Sequence, residues 1–143
     1  MLTETEVVSE KLAGYLATHY RLGSGPEAVT LRIDIPSEDL RRLYDETGQT
    51  CGLFITAFNP FGQAQSDEAN EAAHARLGEH LRALTPHVSE GAGADPTGEW
   101  PPEKSYFALG IDLAKAQELG AIFQQDAVVW TDPDRVPRLL LLR

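Results

Sequence analysis

Six residues at the joints of this chain have side chains that could do chemistry. Asn59 closes the apolar run Gly52-Leu53-Phe54-Ile55-Thr56-Ala57-Phe58 and is followed by Pro60. Asn70 falls one turn into the next helical pattern, and Glu103 and Ser105 stand just before another apolar run. Gln125 ends a helical pattern immediately before Ala127, and Trp100 is stiffened by Pro101 and Pro102. Glu103 is the ionisable member, suited to act as a general base or to bind an amine. Asn59, Asn70 and Gln125 offer amides that orient a polar ligand, Ser105 adds a hydroxyl, and Trp100 offers an apolar wall. Polar groups on rigid joints commonly build pockets.

Each of these residues also has a purely structural role open to it. Asparagine satisfies turn backbone, glutamine caps carbonyls at a helix end, and a loop carboxylate often stands in water. Trp100 could simply anchor its loop on the core.

No recognised catalytic pattern accompanies them: the chain has no GxSxG elbow, no Walker loop and no HExxH. His19, His74, His80 and His87 lack ligand spacing and read as surface residues. One carboxylate among amides would hold a metal poorly, so neither a metal nor a cofactor is expected. Gly91-Ala92-Gly93 lacks the third glycine and the immediate helix that a dinucleotide loop needs.

The elements that position these residues follow from periodicity. The run from about Cys51 to Phe58 is apolar on both parities, which suits a strand buried on both faces. Helical spacing of Val7, Val8, Leu12, Tyr15 and Leu16 predicts a helix over 5–20, and alternation predicts a strand over 29–35. Ser37 and Ser66 are N-cap candidates for helices ending near Gly48 and Pro86. Residues 91–98 read as a loop after a short strand at Val88; Tyr106 to Ile111, Ala127 to Trp130 and Leu139 to Leu142 read as strands. Asp112 opens the helix between the first two of these. Together they predict a single α+β domain over 1–143, two layers, with a mainly antiparallel sheet of about five strands and helices packed on one side.

Composition narrows the function classes. A net charge of -10, with 12 basic residues against 22 acidic, argues against a nucleic-acid partner. No apolar run approaches the roughly 20 residues that span a bilayer, so no membrane partner is expected. The acidic start lacks the basic and apolar regions of a secretory signal, and the lone Cys51 fits a cytoplasmic protein, as a buried small hydrophobe. Two functions stay open: a small polar ligand bound at the joint residues, or a protein-interaction module meeting its partner through an apolar patch or strand edge such as Leu139 to Leu142. The oligomeric state is open, with a homodimer among the options.

The motifs also carry a resemblance. Phe54-Ile55-Thr56-Ala57-Phe58-Asn59-Pro60 resembles the FITA-aromatic-NP signature of an uncharacterised bacterial family, a domain of unknown function. Asn70 fills its helix asparagine, Trp100-Pro101-Pro102-Glu103-Lys104-Ser105 resembles its WPxExS segment, and Phe123-Gln124-Gln125-Asp126-Ala127 its FGQNA segment. Gln124 and Asp126 depart from that pattern, replacing a glycine and an asparagine. The resemblance runs from about Tyr15 to Leu142 and implies that Asn59, Asn70, Glu103, Ser105 and Gln125 belong together. It implies no activity.

Overall fold

The computed structural model describes residues 12–23, 28–98 and 101–142. The element order is α1 (helical over 12–17), β1 (His19–Leu22), β2 (Val29–Leu31), α2 (Glu38–Thr47), β3 (Gly52–Ile55), a 3-10 turn (Pro60–Gly62), α3 (Asp67–Leu84), β4 (Val88–Ala94), β5 (Glu103–Leu109), α4 (Leu113–Ile122), β6 (Ala127–Thr131) and β7 (Pro137–Leu141). All seven strands form one antiparallel sheet in the order β2-β1-β4-β5-β3-β6-β7.

Strand β3 is buried at every position, as its unbroken apolar run predicts. Alternation then divides its side chains between two cores. Leu53 and Ile55 join Tyr106, Ala108 and Val128 beneath Ala73, Leu77 and Leu81 of α3 and Ala116 and Leu119 of α4. Phe54 faces the other way, with Phe107, Leu109 and Val129, against Leu40 and Tyr44 of α2 and Tyr20, Leu22, Val29 and Leu31 of the β1–β2 hairpin. The sheet curls around this second core until its two ends meet. Past β2, the Asp34 N–H donates to the Pro137 carbonyl at 2.8 Å and the Ser37 N–H to the Arg135 carbonyl at 3.0 Å.

The α+β class and the antiparallel sheet stand, but the number and layering of elements are corrected. The sheet has seven strands rather than about five. Within the expected 5–20 helix, residues 5–11 lie outside the described residues, helix occupies 12–17, and His19–Leu22 is strand. The expected 91–98 loop begins as part of β4, because Gly91 lets β4 lie close against β1. A Cβ on Gly91 would strike the Arg21 carbonyl of β1. Helices do not lie on one side only: α3 and α4 cover one face and α2 fills the other. A strand that is apolar on both parities needs both covers.

The helix starts follow their caps. Ser37 accepts from the Leu40 N–H, Ser66 from the Ala69 N–H and Asp112 from the Lys115 N–H. Strand β3 stops sooner than its apolar run suggests. Thr56 Oγ1 donates to the Lys104 carbonyl at 2.8 Å and accepts from the Phe58 N–H at 3.0 Å, turning the chain toward Asn59.

Candidate functional site

Asn59 sits in the left-handed region, φ 48° and ψ 65°, a conformation that asparagine tolerates better than most residues. The turn it begins leads to Ser66, which starts α3 and brings Asn70 back beneath Asn59 one turn later. Asn70 Oδ1 accepts from the Asn59 N–H at 2.9 Å, and Asn70 Nδ2 donates to Asn59 Oδ1 at 3.1 Å. Gln65 tightens the loop: its Nε2 donates to Asn70 Oδ1 at 2.7 Å and its backbone N–H to Asn59 Oδ1 at 3.3 Å. With its oxygen occupied in this way, the Asn59 amide turns its Nδ2 outward and donates to Glu103 Oε1 at 3.2 Å.

Glu103 opens β5 and is half-buried. Burial lifts its carboxyl above the usual range, and the Asn59 hydrogen bond offsets only part of that. Two tyrosines from the start of the chain share its surroundings. Tyr15 is pushed up by burial, then by Asp126 and Glu103, and Tyr20 is pushed well up, chiefly by burial. Tyr20 donates its hydroxyl to the Tyr15 carbonyl at 3.0 Å, fixing α1 to β1. A carboxyl and an amide thus meet where β5 begins, within electrostatic reach of two phenols.

The six expected residues are not equivalent in place. Asn59, Asn70 and Glu103 form one hydrogen-bonded chain. Gln125 is buried next to it but spends its amide on carbonyls, donating to Phe58 and Phe123 at 3.2 Å each. That arrangement ties the end of α4 to the Asn59 turn. Ser105 is buried with its hydroxyl donating to the Glu103 carbonyl at 3.1 Å, so it braces the strand. Trp100 lies outside the described residues.

Three contributors escaped the sequence reading: Tyr15, Tyr20 and Gln65. Tyr15 was absorbed by its apolar stripe, and Gln65 is one polar residue in a polar loop. His74, read as a surface residue, is instead buried. It stacks on Tyr106 with ring centroids 4.3 Å apart and an interplanar angle of 8°. Among the described residues no His, Cys, Asp and Glu side chains group to hold a metal ion, and no helix is long and apolar enough to cross a membrane.

The family described as protein of unknown function (DUF3293) matches residues 55–128, just over half of the 143 residues. The match runs from the last residue of β3 into β6 and contains Asn59, Asn70, Glu103, Ser105 and Gln125. No curated protein and no solved structure matches the chain.

Proposed function

The chain belongs to the DUF3293 family of proteins of unknown function, and on that premise we propose that it binds a small polar molecule at the start of β5, with Glu103 as the ionisable contact. The observation carrying this reading is the half-buried Glu103 carboxyl, lifted in pKa by burial and held by one amide that is itself aimed by Asn70. A carboxyl drawn out of water in this way strengthens its pairing with an amine or other donor. Where a reaction follows binding, the same lift moves Glu103 toward the range in which a general base works near neutral pH. Asn59 is then a ligand contact and Asn70 its positioning residue, while Ser105 and Gln125 hold the backbone on either side. Trp100, for which the sequence suggests an apolar wall, lies outside the described residues.

The same proposal takes Phe54 to Pro60, Trp100 to Ser105 and Phe123 to Ala127 as the family's signature segments, and the protein as a bacterial, cytoplasmic single domain. No cofactor, nucleic acid or membrane is part of it. A second reading, a protein-interaction module that could be a homodimer, is favoured by the struts of Gln125 and Ser105. It is favoured also by edge strand β7, whose Leu141 is 54% exposed.

A thermal-shift screen of nucleotides, amino acids, sugars and common metabolites, run on the wild type and Glu103→Gln, separates the two. A compound that stabilises the wild type and not the variant supports the site and gives its chemical class. No stabilising compound, together with a variant that is markedly less stable alone, would make Glu103 a strut and favour the interaction module.

A further inference from the structure

We propose a second binding site, for a small monocarboxylate with a compact apolar body, in the cleft between α3 and the C-terminal end of α4. It is independent of the Glu103 reading. The cleft is about half open to solvent and offers about 160 Å³. Ala57, Ala73, Ile122 and Phe123 give it apolar walls, and Arg76 and His80 stand at its rim. A cavity of about 150 Å³ lined by apolar side chains accommodates a benzene ring, so this volume suits an apolar body of that size.

Arg76 supplies the charge preference. Arg76 and His80 are four residues apart on α3 and therefore share a face. Among the described residues no carboxylate pairs with Arg76, nor with Arg21, Arg32, Arg82 or Arg135; of these five arginines, Arg76 is the one that lines the cleft. In a chain of net charge -10, an arginine without a carboxylate at the mouth of an apolar cleft marks a place for an external anion. Guanidinium binds a carboxylate through two parallel hydrogen bonds. His80 sets its ring edge-on to Phe123, centroids 5.3 Å apart, and so forms part of the wall beneath that rim.

The other wall is held in an unusual conformation. Phe61 and Gln124 both have φ of 55°, and the Phe61 N–H donates to the Gln124 carbonyl at 2.6 Å, joining the Asn59 turn to the end of α4. A bulky residue with positive φ is an outlier that the surrounding structure must maintain. Pro60 and Gln124 line the cleft on either side of that joint. The end of α4 also decides between anions. Its C-terminal carbonyls carry the negative pole of the helix, which disfavours any anionic group inside the cleft, a doubly charged phosphate most, and so keeps the charge at the rim. A monocarboxylate satisfies both demands, with its charge at the Arg76 rim and its apolar body against Phe123 and Ile122.

The test is a titration of the full chain with benzoate, benzamide and inorganic phosphate, followed by amide NMR shifts, on the wild type, Arg76→Gln and Glu103→Gln. Benzoate at up to about 10 mM should shift Ala73 and residues 122–124. Arg76→Gln, a change at an exposed position, should weaken benzoate at least about tenfold with the spectrum otherwise preserved. Benzamide and phosphate should bind the wild type more weakly than benzoate does. Glu103→Gln should leave benzoate binding unchanged, so failure here is distinguishable from failure at Glu103. No shift at those residues, equal binding by Arg76→Gln, or phosphate binding as tightly as benzoate would each overturn the proposal.

Discussion

Asn59 and Asn70 hold one another in both directions: the Asn70 oxygen receives the Asn59 backbone N–H at 2.9 Å, and the Asn70 amide donates to the Asn59 side chain at 3.1 Å. Asn70 thereby fixes the side chain that reaches Glu103. Asn70→Ala leaves the Asn59 N–H and amide oxygen without that partner, and should cost about 2 kcal/mol. In a chain of this size that lowers Tm by roughly 6 °C. Asn70→Asp keeps the acceptor and loses the donor, so it should recover part of the loss at neutral pH. Thermal unfolding of both variants checks the order wild type, Asp, Ala.

Glu103 gives a pH-dependent prediction. Its folded pKa lies above the ordinary value of 4.5, burial being the main cause. Below about pH 4.5 the protonated group carries no penalty, and relative stability is lost as the pH rises through the folded value. Glu103→Gln removes the charge and keeps an oxygen for Asn59. The variant should match the wild type near pH 4 and be the more stable at pH 7, by an amount kept small by the partial exposure of the group. Urea unfolding at both pH values measures this; a variant less stable at pH 7 would point to a strut.

Much of this corner was legible because turn chemistry is local. Asn before Pro60, Ser66 as a cap and Glu103 ahead of an apolar run declare joints, and three of the joint residues do meet. Gln125 and Ser105 lie close by, but their bonds go to backbone, which only the register of β5 and the end of α4 decides. The helix period of 5–20 hid β1, because Tyr20 and Leu22 continue an apolar pattern while pairing with β4 across some 70 residues. Gly91 suggests a loop because its reason, the closeness of β1, lies elsewhere in the chain. Arg76 and His80 have visible helical spacing, but their cleft needs α4 and the Phe61 turn to exist.

His74 should make the protein acid-sensitive. Burial lowers its pKa from the ordinary 6.5, with Glu71 and Glu90 pulling against that and Lys104 and Arg82 adding to it. Its stability contribution is complete above about pH 6.5 and is lost as the pH falls toward the folded value, because the unfolded chain takes up the proton first. Among the described residues its buried Nδ1 has no hydrogen-bond partner. His74→Phe keeps a flat ring on Tyr106 and removes both liabilities. It should gain about 1 kcal/mol at pH 8 and gain further below pH 6.5, as read by denaturant midpoints across that range.

The last prediction tests the curl of the sheet through Gly91. The sheet wraps the Phe54 core only if β4 passes close to β1, and Gly91 lies opposite Leu22 at that passage. A Cβ there would meet the Arg21 carbonyl, and would also come within 3.2 Å of the Phe54 ring. The obstacle on one side is backbone in a paired strand, which cannot swing away as a side-chain tip can. Gly91→Ala should therefore cost about 3 kcal/mol despite removing a flexible glycine from a strand. Gly93→Ala serves as the control, because its nearest neighbour would be the Thr18 methyl at 3.7 Å, ordinary contact. That variant should be neutral or slightly stabilised. Hydrogen exchange should locate the difference: in Gly91→Ala the amides of β1 and β2 lose protection first, while those of β3 and β5 keep theirs. Equal stability of the two variants would mean that β1 does not close over the core as described.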